Sequence, residues 1–141
     1  YLPRDTAWLD NLRFVTMDNI RSLGRAAQAK GAEVALCSFA YPNVEGVSRL
    51  EQGFFDERIA MNIGKSWVTA AQYGRYARLY AAEVKQLCDE EGWTYVPVAE
   101  RLVAGSEYFV DICHLYCPGI ERKAESVFDG IRDIVAREFR S

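Results

Sequence analysis

Long apolar runs and clusters of basic residues are both missing from this sequence. No uninterrupted apolar stretch approaches the roughly 20 residues that a membrane-spanning helix needs. Lysines and arginines are scattered along a chain whose formal net charge is −3, so no basic stripe of the kind that binds phosphate backbones is present. We therefore expect no membrane span and no nucleic-acid partner.

Histidine is almost absent, since His114 is the only one in the chain. It lies in the segment Asp111-Ile-Cys-His114-Leu, shortly before Pro118. A carboxylate three residues ahead of an imidazole can hold the ring through Nδ1–H and leave Nε2 free as a base, as in an Asp-His-nucleophile arrangement. The alternative interpretation is a histidine that only caps or packs near a helix start.

Cysteine is also scarce, and the four residues are Cys37, Cys88, Cys113 and Cys117. Asp111, Cys113, His114 and Cys117 are all of a type that binds zinc. However, there is no second cysteine pair, and the adjacent side chains of Cys113 and His114 are expected to point in different directions. We therefore predict no metal and no cofactor. A Cys113–Cys117 disulfide stays open as an alternative.

The 141 residues fit one domain, and half of them are apolar. Their spacing predicts three long helices and two short strands. Asp5 and Thr6 are candidate N-caps of the first helix, which Gly31 ends. The other predicted elements are a strand at 33–40, a helix at 67–91, a strand at 93–98 and a last helix from Pro118. That last helix is expected to bury Ile120, Ala124, Val127, Ile131, Ile134 and Val135.

The segment 41–66 is punctuated by glycines and predicts a long loop with at most a short helix around residues 50–61. Its aromatic pair, Phe54 and Phe55, has two interpretations. The rings line a substrate pocket, or they pin the loop to the core. The strand at 33–40 is apolar on both faces, which is typical of a central parallel strand covered by helices. Two strands alone make a poor sheet, so we expect another segment or a partner chain to complete it.

Three stretches carry a family resemblance. These are Tyr108-Phe-Val-Asp-Ile-Cys-His-Leu-Tyr-Cys-Pro-Gly, Gly31-Ala-Glu-Val-Ala-Leu-Cys-Ser-Phe-Ala-Tyr-Pro42 and the run from Tyr80 to Val98. In this order they resemble the last blocks of the SGNH (GDSL-type) serine ester hydrolases. The resemblance implies a three-layer αβα, flavodoxin-like fold with a parallel sheet, of which residues 1–141 would supply the C-terminal strands and helices.

The resemblance also implies site roles. His114 would act as general base and Asp111 would orient it, in an esterase or lipase acting on a small-molecule ester. The family's Gly-Asp-Ser turn, its glycine oxyanion donor and its Gly-x-Asn-Asp turn do not occur here. The chain begins at Tyr1 without methionine, so we interpret it as a C-terminal portion whose nucleophile comes from a missing N-terminal segment. On this interpretation the chain alone is inactive.

Two other interpretations stay open. Ser38 follows a predicted strand, but it lacks the glycine-flanked turn that exposes a nucleophile. A Cys-His-Asp hydrolase would need Cys113 or Cys117 to face the ring, which closeness in sequence does not ensure. The second functional class is a non-catalytic α/β ligand-binding or interaction domain, in which the Asp111–His114 pair is structural.

Overall fold

A computed structural model describes residues 10–45, 47–62, 68–102 and 105–139. Helix α1 begins as a π-helix, Leu12–Met17, and continues as an α-helix, Asp18–Gln28. The other elements are β1 (Ala35–Cys37), α2 (Arg49–Asn62), α3 (Ala70–Glu91), β2 (Thr94–Val96), α4 (Val98–Arg101) and α5 (Cys117–Glu138). The candidate caps Asp5 and Thr6 lie outside the described residues.

The predicted three-layer αβα, flavodoxin-like fold is wrong. Five helices dominate the described residues, and the only sheet among them has two strands of three residues each. The two strands are parallel, with Ala35 opposite Thr94 and Cys37 opposite Val96. Both strand segments were predicted at about twice this length, because an apolar run shows where a segment is buried and not how far its backbone pairs.

Helices cover both faces of the strand pair. Because alternate side chains of a strand point to opposite sides, each face contributes to a different hydrophobic cluster. Leu36 and Tyr95 contact a cluster formed with α1 and α3, which contains Met17, Val84, Leu87, Cys88 and Trp93. Ala35 and Val96 belong to the larger cluster on the other face, with side chains from α2, α5 and the segment before α5. The loop that precedes α5 is anchored in this larger cluster through Phe109 and Ile112.

Helix α3 has clear local signals at both ends. Thr69 accepts a hydrogen bond from the amide of Gln72, whose side chain in turn accepts one from the amide of Thr69, which makes a capping box. Gly92 ends the helix in the left-handed conformation, with a φ of 70°. These signals fix where α3 begins and ends, and Gly92 turns the chain directly into β2.

Helix α2 agrees with its prediction and α5 does not. The short helix predicted around residues 50–61 is present as α2, fourteen residues long, and its Phe55 is fully buried in the larger cluster. Phe55 therefore anchors the segment to the core instead of lining a pocket. On α5, Ile120 is 54 % exposed and Ala124 is exposed too, and the other four predicted core positions are only partly buried. The predicted buried face is therefore wrong, although Val127 and Ile131 pack against the larger cluster.

Helix α1 approaches Trp93 so closely that Gly24 has no room for a side chain. A Cβ on Gly24 would lie 2.1 Å from the Trp93 ring, whereas a Cβ on Gly53 in α2 would meet nothing within 4 Å. We expect Gly24→Ala to lower the free energy of unfolding by about 1–3 kcal/mol through overpacking. Gly53→Ala is the matched control and should raise it by roughly 0.5–1 kcal/mol. Urea denaturation of both variants measures this, and equal effects would contradict the packing described.

Candidate active site

The loop before α5 is closed on itself by backbone hydrogen bonds. Phe109 and Leu115 form an antiparallel bridge, and the amide of Val110 donates to the carbonyl of His114 at 2.8 Å. Phe109 is fully buried and Ile112 is 5 % exposed, so two side chains fix the loop to the larger cluster. The residues between the bridge partners, 110–114, are thereby forced into a tight bend.

Asp111 is held at the centre of this bend. Its Oδ1 accepts hydrogen bonds from the amides of Cys113 at 2.9 Å and His114 at 2.8 Å, and its Oδ2 lies 2.7 Å from Nδ1 of His114. Burial by itself would raise the pKa of Asp111, but these hydrogen bonds and the charge of the His114 ring outweigh burial and hold the pKa well below its usual range. The carboxylate is therefore ionised and fixed in place.

His114 is oriented by Asp111 and open to solvent. Its side chain is 74 % exposed, and no described residue forms a hydrogen bond with Nε2. An Nδ1–H directed at a carboxylate selects the tautomer in which Nε2 carries a lone pair. The spacing in the sequence predicted this contact, and the geometry is that of a base whose acceptor nitrogen faces outward.

Cys113 also lies at the ring, which the sequence did not predict. Its Sγ is 3.5 Å from Nδ1 of His114, and the ligand atoms of Asp111, Cys113 and His114 all lie within 4.8 Å of one another. The expectation that adjacent side chains would diverge is therefore wrong, because the bend brings them together. Cys117 is exposed and is not part of this group. All four cysteines are free, so Cys113 and Cys117 form no disulfide.

Tyr73, in the first turns of α3, is a neighbour of the loop that the sequence did not reveal. Burial raises its pKa, and the charges of Cys113 and Asp111 raise it further. The phenol therefore remains protonated, and Tyr73 and Cys113 both pack against the larger cluster. The helical stripe containing Tyr73 predicted only a core position, since nothing local connects α3 with a loop that begins some thirty residues later.

None of the serines that the structure describes is paired with His114. Ser22 and Ser126 donate to backbone carbonyls one turn earlier, and Ser48 and Ser106 donate to Glu51. Ser38 is 3 % exposed. Its hydroxyl donates to Glu100 at 2.7 Å and accepts from the amide of Ala99 at 2.9 Å. Ser38 therefore caps α4 and is not a nucleophile. Ser66 and Ser141 lie outside the described residues.

A cleft of 420 Å³ opens beside this Ser38 network, away from the loop. Its walls include Tyr41, Arg78, Tyr95 and Glu100. Arg78 is already paired with Glu45 at 2.7 Å, and Tyr95 donates to Glu100. The Asp111–His114 pair does not line this cleft, so the cleft does not deliver a ligand to the candidate base.

The anchored carboxylate predicts a pH-dependent contribution to stability. Because folding lowers the pKa of Asp111, its contribution is complete above the unfolded pKa of about 3.9 and is lost as the pH falls below that value. We expect Asp111→Asn to lower the free energy of unfolding by about 1.5–3 kcal/mol at pH 6. The difference from the wild type should shrink towards pH 2. Urea denaturation at both pH values measures it.

The control for this experiment is Asp133→Asn on α5, where the carboxylate is 89 % exposed. That variant should match the wild type within about 0.5 kcal/mol at both pH values. A wild-type minus Asp111→Asn difference that stays constant with pH would show that the Asp111 carboxylate does not stabilise the loop through its charge.

No known protein family, curated protein or solved structure matches this chain. In the part of the chain that the structure describes, none of the helices combines the length and apolar character needed to traverse a bilayer.

Proposed function

We propose that this chain contributes the general-base half of a serine ester hydrolase, with His114 as base and Asp111 as its orienting carboxylate. The observation that supports it best is the 2.7 Å contact between Nδ1 of His114 and Oδ2 of Asp111, combined with a ring that is 74 % exposed. A histidine that only fills space in the core does not require a fixed carboxylate at one ring nitrogen and solvent at the other. The resemblance of the Asp111–Leu115 segment to SGNH hydrolases supports the same function.

In the proposed reaction, a serine hydroxyl attacks the ester carbonyl while Nε2 of His114 takes its proton. The ring then gives this proton to the leaving alcohol, and water repeats both steps to release the acid. Asp111 keeps the proton on Nδ1 and stabilises the imidazolium that forms. Because its two amide hydrogen bonds already fix its Oδ1, the carboxylate does not have to reorganise during the reaction.

The proposed nucleophile belongs to a polypeptide segment outside residues 1–141, as do the donors that stabilise the oxyanion. The described serines support this assignment, because all five of them donate to partners other than His114. The proposed substrate is a small ester with a short acyl group, since the ring of His114 is exposed at the surface and the 420 Å³ cleft lies elsewhere.

A second function, an interaction domain, is favoured by a separate observation. Among the described residues, β1 pairs on one side only, and the side chains of Cys37 and Phe39 are exposed. Ile120 and Phe128 of α5 are more than half exposed as well. An unpaired strand edge readily accepts an extended segment of another chain. On this alternative, the Asp111–His114 contact only shapes the loop.

Fluorophosphonate labelling of the intact protein, followed by peptide mass spectrometry, separates the two functions. We expect a labelled serine in a peptide outside residues 1–141, with the label lost in His114→Ala and kept in the control variant Cys117→Ser. A label that persists in His114→Ala would exclude His114 as the base. No label on the folded intact protein would reject the hydrolase and favour the interaction domain.

A further inference from the structure

The bend in the loop before α5 gathers three metal-binding groups of different chemistry. These are the carboxylate of Asp111, the thiol of Cys113 and the imidazole of His114, whose ligand atoms all lie within 4.8 Å of one another. We propose that this triad binds a zinc-class divalent ion, and that the bound ion changes the tautomer of His114. The ion site does not require the chain to be a hydrolase.

One of the separations between ligand atoms already matches a tetrahedral ion, and a second has to widen. With Zn–S of about 2.3 Å and Zn–N of about 2.0–2.1 Å, two ligands at the tetrahedral angle lie roughly 3.5 Å apart. The Sγ of Cys113 and Nδ1 of His114 are 3.5 Å apart. Nδ1 and Oδ2 of Asp111 are at the hydrogen-bond distance of 2.7 Å, so ion binding requires the exposed ring to move about 0.6 Å away from the carboxylate. The carboxylate stays in place because two amides hold its Oδ1.

The donor set selects the type of ion. Thiolate, imidazole and carboxylate together suit a borderline-soft divalent ion such as Zn²⁺, whereas Ca²⁺ and Mg²⁺ require oxygen ligands. Three protein ligands leave the fourth tetrahedral position for water, as in sites where the ion remains accessible. The loop is accessible in this way, since the His114 side chain is largely exposed and Cys113 is only partly buried.

Binding changes the protonation of two groups. Cys113 gives up its thiol proton to solvent, so the ion binds a thiolate. On His114, the proton leaves Nδ1, which coordinates the ion, and solvent delivers a proton to Nε2. For a ring that starts neutral, one proton is therefore released per ion bound. Nε2 then carries N–H and has no lone pair, so the ion would inhibit the hydrolase proposed above. That last consequence alone rests on the proposed function.

A cobalt titration tests the site directly. Co²⁺ alone, added to the reduced intact protein, should give a thiolate-to-cobalt charge-transfer band that Zn²⁺ abolishes by displacing Co²⁺. Cys113→Ser should remove the band. It should also weaken Zn²⁺ binding by at least about 10–100-fold, because losing a residue that only hydrogen-bonds to a metal ligand already costs that much. Cys117→Ser is the matched control, since Cys117 lies four residues further along the chain and is exposed. This variant should leave the charge-transfer band and the Zn²⁺ affinity unchanged.

His114 is the one histidine among residues 1–141, and the ring signals lost in His114→Ala assign its imidazole. Long-range ¹H–¹⁵N spectra should show one imidazole with its proton on Nδ1 before Zn²⁺ is added and on Nε2 afterwards. A band that survives in Cys113→Ser, or a ring whose tautomer does not respond to Zn²⁺, would overturn the proposal. Neither readout involves ester hydrolysis, so a failure of the hydrolase proposal would leave this test unaffected.

Discussion

His114→Ala in the intact protein should lower kcat for ester hydrolysis by about 10⁴-fold or more, the usual effect of losing a member of such a catalytic group. The physical reason is that the alanine variant has no group at this position to take the serine proton. The melting temperature should fall by only about 2–5 °C, because the side chain is 74 % exposed and the variant loses one hydrogen bond, to Asp111, worth about 0.5–1.5 kcal/mol. Steady-state kinetics and thermal denaturation of the same preparation measure both quantities.

Asp111→Asn and Cys117→Ser complete this experiment. The asparagine variant should also lose most activity, because an amide does not stabilise the imidazolium or select its tautomer, and it should lose stability too. Cys117→Ser should retain the activity and the stability of the wild type. If His114→Ala keeps even a tenth of the wild-type kcat, the general-base role is excluded. A large fall in its melting temperature would instead show that the ring supports the fold.

Phe109→Ala should lower the free energy of unfolding by about 3–5 kcal/mol, as expected for removing a fully buried phenylalanine. For a domain of this size the loss corresponds to a fall of roughly 10–17 °C in the melting temperature. Phe109 has no exposed surface, contacts the larger cluster and lies two residues before Asp111, in the bridge that closes the loop. Its loss should therefore also release the Asp111–His114 contact.

The matched control is Phe128→Ala on α5. This ring is 58 % exposed, and its removal should cost far less than that of Phe109. Calorimetry or urea denaturation of the two variants gives the comparison. If both substitutions cost the same, the described position of Phe109 at the base of the loop is wrong. If Phe109→Ala is destabilised but retains full ester hydrolase activity, the conformation of the Asp111–His114 loop does not depend on Phe109.

The features that the sequence predicted correctly depend on neighbours in the chain. Gly92 ends α3 because glycine adopts the left-handed backbone conformation without help from distant residues. The contact of Asp111 with His114 follows from a spacing of three residues within one bend. Such features can be recognised from a short segment, because the interacting groups are close in every compact conformation of that segment.

The features that were missed depend on distant parts of the chain. The exposure of Ile120 is set by what packs over α5, which helical periodicity does not specify. The approach of Cys113 to His114 requires the bridge between Phe109 and Leu115 and the buried ring of Phe109. The short strands show the same limit, since their length depends on the partner that each one pairs with. The overall fold class was wrong for this reason.

The pairing of β1 with β2 has a consequence for how fast the chain folds. Ala35 and Thr94 are paired although the chain between them includes two helices. Closing a loop of about 60 residues costs roughly 3–4 kcal/mol of chain entropy before any contact compensates for it. Helices form within about a microsecond, whereas such distant pairings form much later. During this interval the apolar residues of β1 have no strand partner, so a newly synthesised chain is most prone to aggregation at this segment.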